Sequence, residues 1–257
     1  MASMEKALDI LLLFNSDRQE LSATDISDAM GIPLSTTYKY LKALREKDFI
    51  NKNSCSNRFH LGWTIFQIAI RHNDERRISD LAYCEMRSLA AAVGETILLT
   101  VLSDQKALCL EKVDSCRLVK ISHDRGSVRP LHVGASGKIL LAFQAPEFVS
   151  SYLGRDPLPR IDQESRIDLQ LQAIRQQGFA FSDSELDCGA IAIAAPVFNH
   201  TRQLVAGLTV AGPRDRMDNN KLGTWTQMVR EKADILSRRL GCPDEVLSPN
   251  SHALGAV

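Results

Sequence analysis

LSATDISDAMGIPLSTTYKYLKALREKDFINKNSCSNRFHL, residues 21–61, is the stretch that decides how the first part of this 257-residue chain folds. Ser22 and Asp25 have the spacing of a capping box, with Asp in the place of the usual Glu, and open a helix whose buried stripe is expected to be Ile26, Ala29 and Met30. Gly31 ends that helix, and Pro33 prevents it from continuing. Ser35 is placed to cap a second helix running to about Lys47, with Thr37, Tyr40, Leu41 and Leu44 inward at i, i+3, i+4 and i+7. Ser35, Thr36, Tyr38, Lys39 and Lys42 are left facing outward. Two short helices joined by a tight turn, then a polar loop between strand-like segments, is the pattern of a winged helix-turn-helix.

The outward set suits double-stranded DNA: hydroxyls and lysines reach phosphate oxygens, while Tyr and Thr reach base edges or a thymine methyl. A solvated helix face looks much the same, so the local charge decides. From Ser35 to Arg58, six basic residues (Lys39, Lys42, Arg45, Lys47, Lys52, Arg58) stand against Glu46 and Asp48, in a chain whose 31 basic and 31 acidic residues cancel. Positive charge is concentrated where helix and wing would meet a phosphate backbone. Upstream, Met4, Ala7, Leu8, Leu11 and Leu12 supply a first helix. Downstream, Phe49 and Ile50 begin a strand that returns at Arg58 to Leu61. Lys52 is the only charge near the wing tip.

Trp63, Ile65, Phe66, Ile68, Ala69 and Ile70 form an apolar run, followed by the charged bridge 71–77 and a helical stripe of Leu81, Cys84, Met86, Leu89 and Val93. The apolar run either packs within the wing unit or pairs two subunits. Beyond it, strands are expected at 95–102, 106–113 and 118–123, with a hairpin turn at 103–105. Helices follow at 135–143, 146–153 and 164–177, then strands at 179–184, 190–198 and 204–211 and a final helix at 219–240. Strands, then helices, then strands make an α+β domain with an antiparallel sheet. The expected organisation is a DNA-binding domain at 1–64, a helical linker at 65–80, a second domain at 81–242 and a disordered tail at 243–257.

Composition excludes other classes. Hydrophobic residues make up 44% of the chain, ample for buried cores. The start lacks an apolar stretch, so no secretory signal is expected and the cytoplasm is the expected location. The longest apolar runs are far too short to span a bilayer. The six cysteines form no C-x-x-C pair and have no histidines clustered beside them, so they are expected to be reduced thiols, mostly core fillers, with no metal site and no cofactor.

With these motifs the chain resembles the IclR family of bacterial transcriptional regulators. The N-terminal carriers are MEKALDIL at 4–11, IPLSTTYKYLKAL at 32–44 and RFHLG at 58–62. The more diagnostic C-terminal ones are RPLHVGASGKILLAF at 129–143, GFAFSDSE at 178–185, GAIAIAAPV at 189–197 and AGLTVAGP at 206–213. The resemblance implies a GAF-like sensor domain that binds a small organic acid, and a homodimer or a tetramer of paired dimers on operator DNA. The function it implies is control of a catabolic operon, with a repressor expected and an activator as the other reading.

Gly134, Ala135 and Ser136 fall where a loop turns into a helix, so their backbone N–H groups are positioned to bind a carboxylate at its positive end. Small residues there also serve simply to let helix and sheet approach. By resemblance, Ser182 or Asp183, Ala192, Thr209 and Ala211 line the pocket. Ala192 and Ala211 stand where relatives sensing very small acids carry Cys or Ser, which shifts the expected effector to an aromatic or sugar-derived carboxylate. Asp48 replaces the Gly usual after the recognition helix, and Asp tolerates the left-handed conformation needed there.

The rival class is a metabolic enzyme with an appended DNA-binding domain. The chain has neither a G-x-x-x-x-G-K phosphate loop nor a G-x-S-x-G nucleophile elbow. Ser136 and Lys138 suit a helix start and a surface lysine better than an activated nucleophile, and the isolated His132 suits a structural hydrogen bond.

Overall fold

Ser22 Oγ accepts a hydrogen bond from the Asp25 amide at 3.1 Å and the Asp25 carboxylate accepts one from the Ser22 amide at 2.9 Å. This reciprocal cap starts helix α2 (Ala23–Met30), and Gly31, at φ 61°, closes it. Its buried residues are Ala23 and Ile26, with Met30 partly buried; Ala29, expected inside, is exposed. The stripe starts one turn earlier than expected, at the capped end where Leu21 also enters the core.

The computed structural model describes residues 3–14, 18–71, 73–121, 123–154, 164–217 and 219–243. The chain divides into two compact units, Met1–Arg76 and Arg77–Val257. The tail expected to be disordered lies, from residue 244, outside the described residues.

In the first unit, α1 (Ser3–Leu12) carries apolar residues on more than one face. Ala7, Ile10 and Leu11 turn inward with Phe14 just beyond, whereas Met4, Leu8 and Leu12, expected in the core stripe, are exposed. Helix α3 (Leu34–Glu46) buries Thr37, Leu41 and Leu44 as expected. Its cap is Pro33 rather than Ser35: the Pro33 carbonyl accepts from the amides of Thr36 and Thr37, and Ser35 lies in the first turn. Asp48 takes up φ 55°, the left-handed conformation expected of it. Strands β1 (Ile50–Lys52) and β2 (Phe59–Leu61) form the antiparallel wing, and Leu21 exchanges both backbone hydrogen bonds with Phe59, at 2.9 and 2.7 Å. On α4 (Trp63–Arg71), Trp63 and Ile68 are exposed.

Helix α5 (Asn73–Val93), which enters the second unit at Arg77, buries Ala82, Met86, Leu89 and Val93; Cys84, expected in this stripe, is exposed, because Ala82 and Met86 hold the inner face. Two long strands, β3 (Thr96–Ser103) and β4 (Lys106–Val113), join through Asp104 and Gln105, both at positive φ as a two-residue hairpin turn requires. The strand expected at 118–123 is not formed among the described residues. The short β5 (Val128–Pro130) pairs with β4 instead. Helices α6 (Gly134–Ala142), α7 (Pro146–Leu153) and α8 (Glu164–Gln177) follow, then β6 (Ala180–Asp183), β7 (Ala190–Phe198), β8 (Leu204–Pro213) and α9 (Asn219–Arg239). The antiparallel sheet has the order β5-β4-β3-β8-β7-β6. Ile97, Leu99, Ile193 and Val210 face α5 and α9 on one side, while Ala107, Ala180 and Ala194 face α6 to α8 on the other. The apolar α6 is almost wholly buried against the sheet, which makes this second face the place for a site.

Cys109 and Cys242 are buried; Cys55, Cys84, Cys116 and Cys188 are exposed, so the thiols are free but not mostly core fillers. Among the described residues no group of three His, Cys, Asp or Glu side chains is placed to hold a metal ion, and no helix is long and apolar enough to cross a membrane.

Glu95, just before β3, is 1% exposed, and neither carboxylate oxygen has a hydrogen bond. Arg216 Nε lies 3.1 Å and Arg117 Nε 3.9 Å from it. Burial raises its pKa above the usual carboxylate range, with the two arginines opposing. A folded-state pKa above the unfolded one gives a contribution that is full below the unfolded value and is lost as pH rises through the folded value. Glu95→Gln is therefore expected to raise the melting temperature at pH 7 but not at pH 4, as differential scanning calorimetry at the two pH values will check. A lowered melting temperature at pH 7 would show that the arginines outweigh the burial.

Candidate functional site

Helix α3 buries one side and presents the other. Thr37 is 0% exposed and Leu41 1%, while Ser35, Tyr38, Lys39 and Lys42 stand on the solvent side and Thr36 is half-buried. Lys42 makes only a 4.0 Å pair with Glu46 across an exposed turn, so its ammonium stays available. The structure brings these five predicted residues together on about two turns of helix.

Arg58 behaves differently. Its guanidinium donates to the Glu20 carbonyl at 3.1 Å and lies 3.6 Å from the Asp25 carboxylate, so it braces the wing against the start of α2. Hydrogen bonds from Asn53 and Ser56 hold the Glu20 carboxylate below its ordinary pKa, and those from Ser22 do the same for Asp25. These carboxylates stay ionised beside Arg58. That bracing places Arg58 in the fold of the wing rather than at its tip.

The second candidate is a cavity of about 20 Å³ between α6 and the sheet, the room of a single water. Leu98, Thr100, Ala107 and Cys109 form its sheet wall, Val133, Ser136 and Gly137 its helix wall, and His123, Ser127 and Arg129 its mouth, with Leu186 over it. Of the predicted effector residues, only Ser136 lines it. Ser182, Ala192, Ala211 and Thr209 do share this face of the sheet, in adjacent cross-strand rows: Ser182 opposite Ala192, Ala192 opposite Ala211, and Thr209 opposite both Ala194 and Leu98. Thr209 is fully buried and accepts from Ser136 Oγ at 3.1 Å, a bond that ties α6 to the sheet.

Asp183 alternates with Ser182 along β6 and turns elsewhere, accepting from Arg214 at 2.9–3.0 Å and from Ser184 Oγ. Ala135 is 1% exposed and packs in the core with Leu131 and Ile139. The start of α6 is already occupied. Glu185 accepts from the Gly134 amide at 3.0 Å, and its other oxygen lies 2.6 Å from Lys138 Nζ. Lys138, expected on the surface, is 3% exposed and also donates to Gln170 and the Phe181 carbonyl. Leu186 seats so closely over Gly134 that a Cβ there would lie 2.6 Å from Leu186 Cδ1. The chain has thus placed a carboxylate of its own where helix dipole and N–H groups favour one.

Sequence reasoning did not find the mouth. Arg129 donates to His123 Nδ1 at 3.1 Å, and since a guanidinium only donates, the imidazole is neutral with its proton on Nε2. Burial, with Arg129 beside it, holds the His123 pKa below the usual range. Ser127 Oγ is buried without a hydrogen-bond partner. Burial pushes the Cys109 thiol up to about 11, so it is no nucleophile at neutral pH. His132 makes the structural bond expected of it, 2.9 Å to the Tyr152 hydroxyl, which also accepts from the Leu131 amide.

These two units match two family models. Residues 3–54 match the IclR helix-turn-helix domain and residues 71–238 the C-terminal domain of the bacterial transcriptional regulator IclR. Among curated proteins, the HTH-type transcriptional regulator XynR of Escherichia coli is 29% identical over 248 residues, covering 94% of this chain and 98% of that one. The HTH-type transcriptional repressor AllR of Escherichia coli is 26% identical over 244 residues, 93% and 90% of the two chains. Among solved structures, an IclR homolog from Microbacterium hydrocarbonoxydans complexed with 4-hydroxybenzoate superposes with a TM-score of 0.82 at 22% identity, covering 93% of this chain and 99% of that one. The IclR of Thermotoga maritima gives 0.72 at 25%, with 93% and 98% covered. The relatives are transcriptional regulators, so the alternative of a metabolic enzyme carrying a DNA-binding domain falls. This chain belongs to the IclR family of bacterial transcriptional regulators, with a helix-turn-helix and a C-terminal effector-binding domain.

Proposed function

We propose that this protein is a cytoplasmic repressor of a catabolic operon whose hold on operator DNA is set by a small organic acid, aromatic or sugar-derived, bound between α6 and the sheet. The observation that carries the DNA half is the outer side of α3, where Ser35, Tyr38, Lys39 and Lys42 are exposed over a buried stripe of Thr37, Leu41 and Leu44. AllR, named a repressor, supports the sense of control, and the 4-hydroxybenzoate held by the Microbacterium homolog supports an acid as effector. One recognition helix reads only a few base pairs, so we propose a homodimer, alone or paired into a tetramer, on a pseudo-palindromic site. The exposed Trp63 and Ile68 of α4 are apolar surface suited to such pairing.

An operator selected from a random-sequence pool provides the assay. Fluorescence anisotropy across a salt series is expected to show weaker binding for Lys39→Ala and for Lys42→Ala, each lowering the slope of log affinity against log salt by about one. Tyr38→Ala and Thr36→Ala are expected to change the preference among selected sites instead. Unchanged affinity and unchanged preference in all four variants would remove α3 from the DNA.

A further inference from the structure

Most polar groups around the cavity are already satisfied within the protein. Ser136 Oγ bonds Thr209, Thr100 Oγ1 donates to the Gly207 carbonyl, and the Gly134 amide donates to Glu185. The Cys109 thiol is neutral and donates weakly to the Glu111 carbonyl. The groups that keep free capacity are at the mouth: the buried Ser127 hydroxyl and the guanidinium of Arg129, whose fork has more donors than its one bond to His123 uses, beside the Nε2–H of the neutral His123.

Their placement is built rather than incidental. Arg129 stands opposite Ala107 in the β4–β5 pairing. Ser127 is pinned through its backbone, its carbonyl accepting from the Cys109 amide at 2.9 Å and its amide donating to Asp124 at 3.0 Å. The remaining wall, from Leu98 and Ala107 to Leu186, is apolar.

Resting on the effector reading above, we infer that the ligand is a monocarboxylate with an apolar body. Its carboxylate is held at the mouth by Arg129 and Ser127, and its body lies against Leu98, Ala107 and Leu186. A polyhydroxylated acid would need wall groups that the protein has already paired, and each ligand hydroxyl buried there without a partner weakens binding. The start of α6 is closed to the ligand carboxylate because Glu185 holds it. A cavity the size of one water admits such a body only after the Leu186 side chain turns off Gly134, while Glu185 keeps its bonds to the Gly134 amide and Lys138.

Calorimetric titration of the full chain with benzoate and with gluconate tests this, each acid being followed into operator anisotropy. Benzoate is expected to bind and gluconate not to. Arg129→Gln is expected to weaken benzoate roughly 10- to 100-fold, with Arg129→Lys between the two, because a charged bidentate contact is lost. Ser127→Ala, whose backbone contacts are untouched, is expected to weaken it several-fold. Preference for gluconate with a normal operator response would overturn this inference and leave the effector reading standing. Full benzoate affinity in both Arg129→Gln and Ser127→Ala would also overturn it, by placing the carboxylate elsewhere. If neither acid binds and neither changes operator affinity, both readings fall together.

Discussion

Glu185→Ala is expected to destabilise the Arg77–Val257 unit by about 3 kcal/mol, the loss typical when one partner of a buried ion pair is removed. For a unit of this size that is roughly 6–12 °C in melting temperature. Lys138 is the reason: its side chain is 4% exposed, so without Glu185 its ammonium keeps only the neutral acceptors Gln170 and Phe181. The Glu185 side chain is 31% exposed, so water relieves part of the loss and the figure sits at the low end of the range for buried pairs. Removing both charges, as in Lys138→Met with Glu185→Leu, is expected to restore most of the stability. Calorimetry of wild type, the single variant and the double variant checks this. A single-variant loss under about 1 kcal/mol would reduce the pair to an ordinary surface contact.

That pair also marks where the sequence stopped being legible. Lys138 and Glu185 are 47 positions apart and meet only because β6 runs beside α6, so nothing local reveals that the lysine turns inward. Reading Gly134 to Ser136 as a helix start was right, since α6 begins at Gly134. The anion that occupies this start comes from the chain itself, which propensity and capping rules have no means to foresee. The same holds at the mouth: Ser127 precedes β5 and Arg129 is its middle residue, in a strand of three exposed residues with a proline and no apolar alternation. The expected strand was drawn to 118–123 because Leu118, Val119 and Ile121 carry the apolar signal, yet Leu118 is fully exposed.

Where a segment's own pattern is strong, the sequence sufficed. The capping box, the left-handed Asp48, the hairpin at 104–105 and the bounds of α7, α8 and β7 follow from local chemistry and periodicity. Ambiguity arose where apolar residues occupy more than one face, as in α1, whose inner stripe centres on Ile10 rather than on Leu8 and Leu12. Alternation misleads in a further way at 182–183, since only one of two adjacent strand residues can point to the α6 side of the sheet, and Ser182 is the one that does.

Gly62→Ala is expected to abolish stable folding of the first unit and, with it, operator binding, although Gly62 is buried and carries no side chain. A Cβ at this position would lie 2.1 Å from the Asp48 carbonyl oxygen and 2.7 Å from its carbon, both backbone atoms that cannot swing aside. Those atoms are fixed on both sides: the Gly62 amide donates to the Phe49 carbonyl at 2.8 Å, and the Asp48 oxygen accepts from the Thr64 amide at 3.2 Å. Relieving the clash means pulling the wing away from the turn that ends α3, which exposes Ile50 and Phe59, at 0% and 3% exposure two of the most buried side chains of this unit. The expected cost is above about 3 kcal/mol, in the range of severe overpacking. Gly31→Ala is the control within the same unit. Nothing lies within 4 Å of a Cβ there, so only the left-handed φ of 61° is penalised, at about 1 kcal/mol, and operator binding is expected to survive. Circular dichroism melts beside operator anisotropy separate the two: equal, mild losses in both variants would mean that the wing has freedom to move away from Asp48.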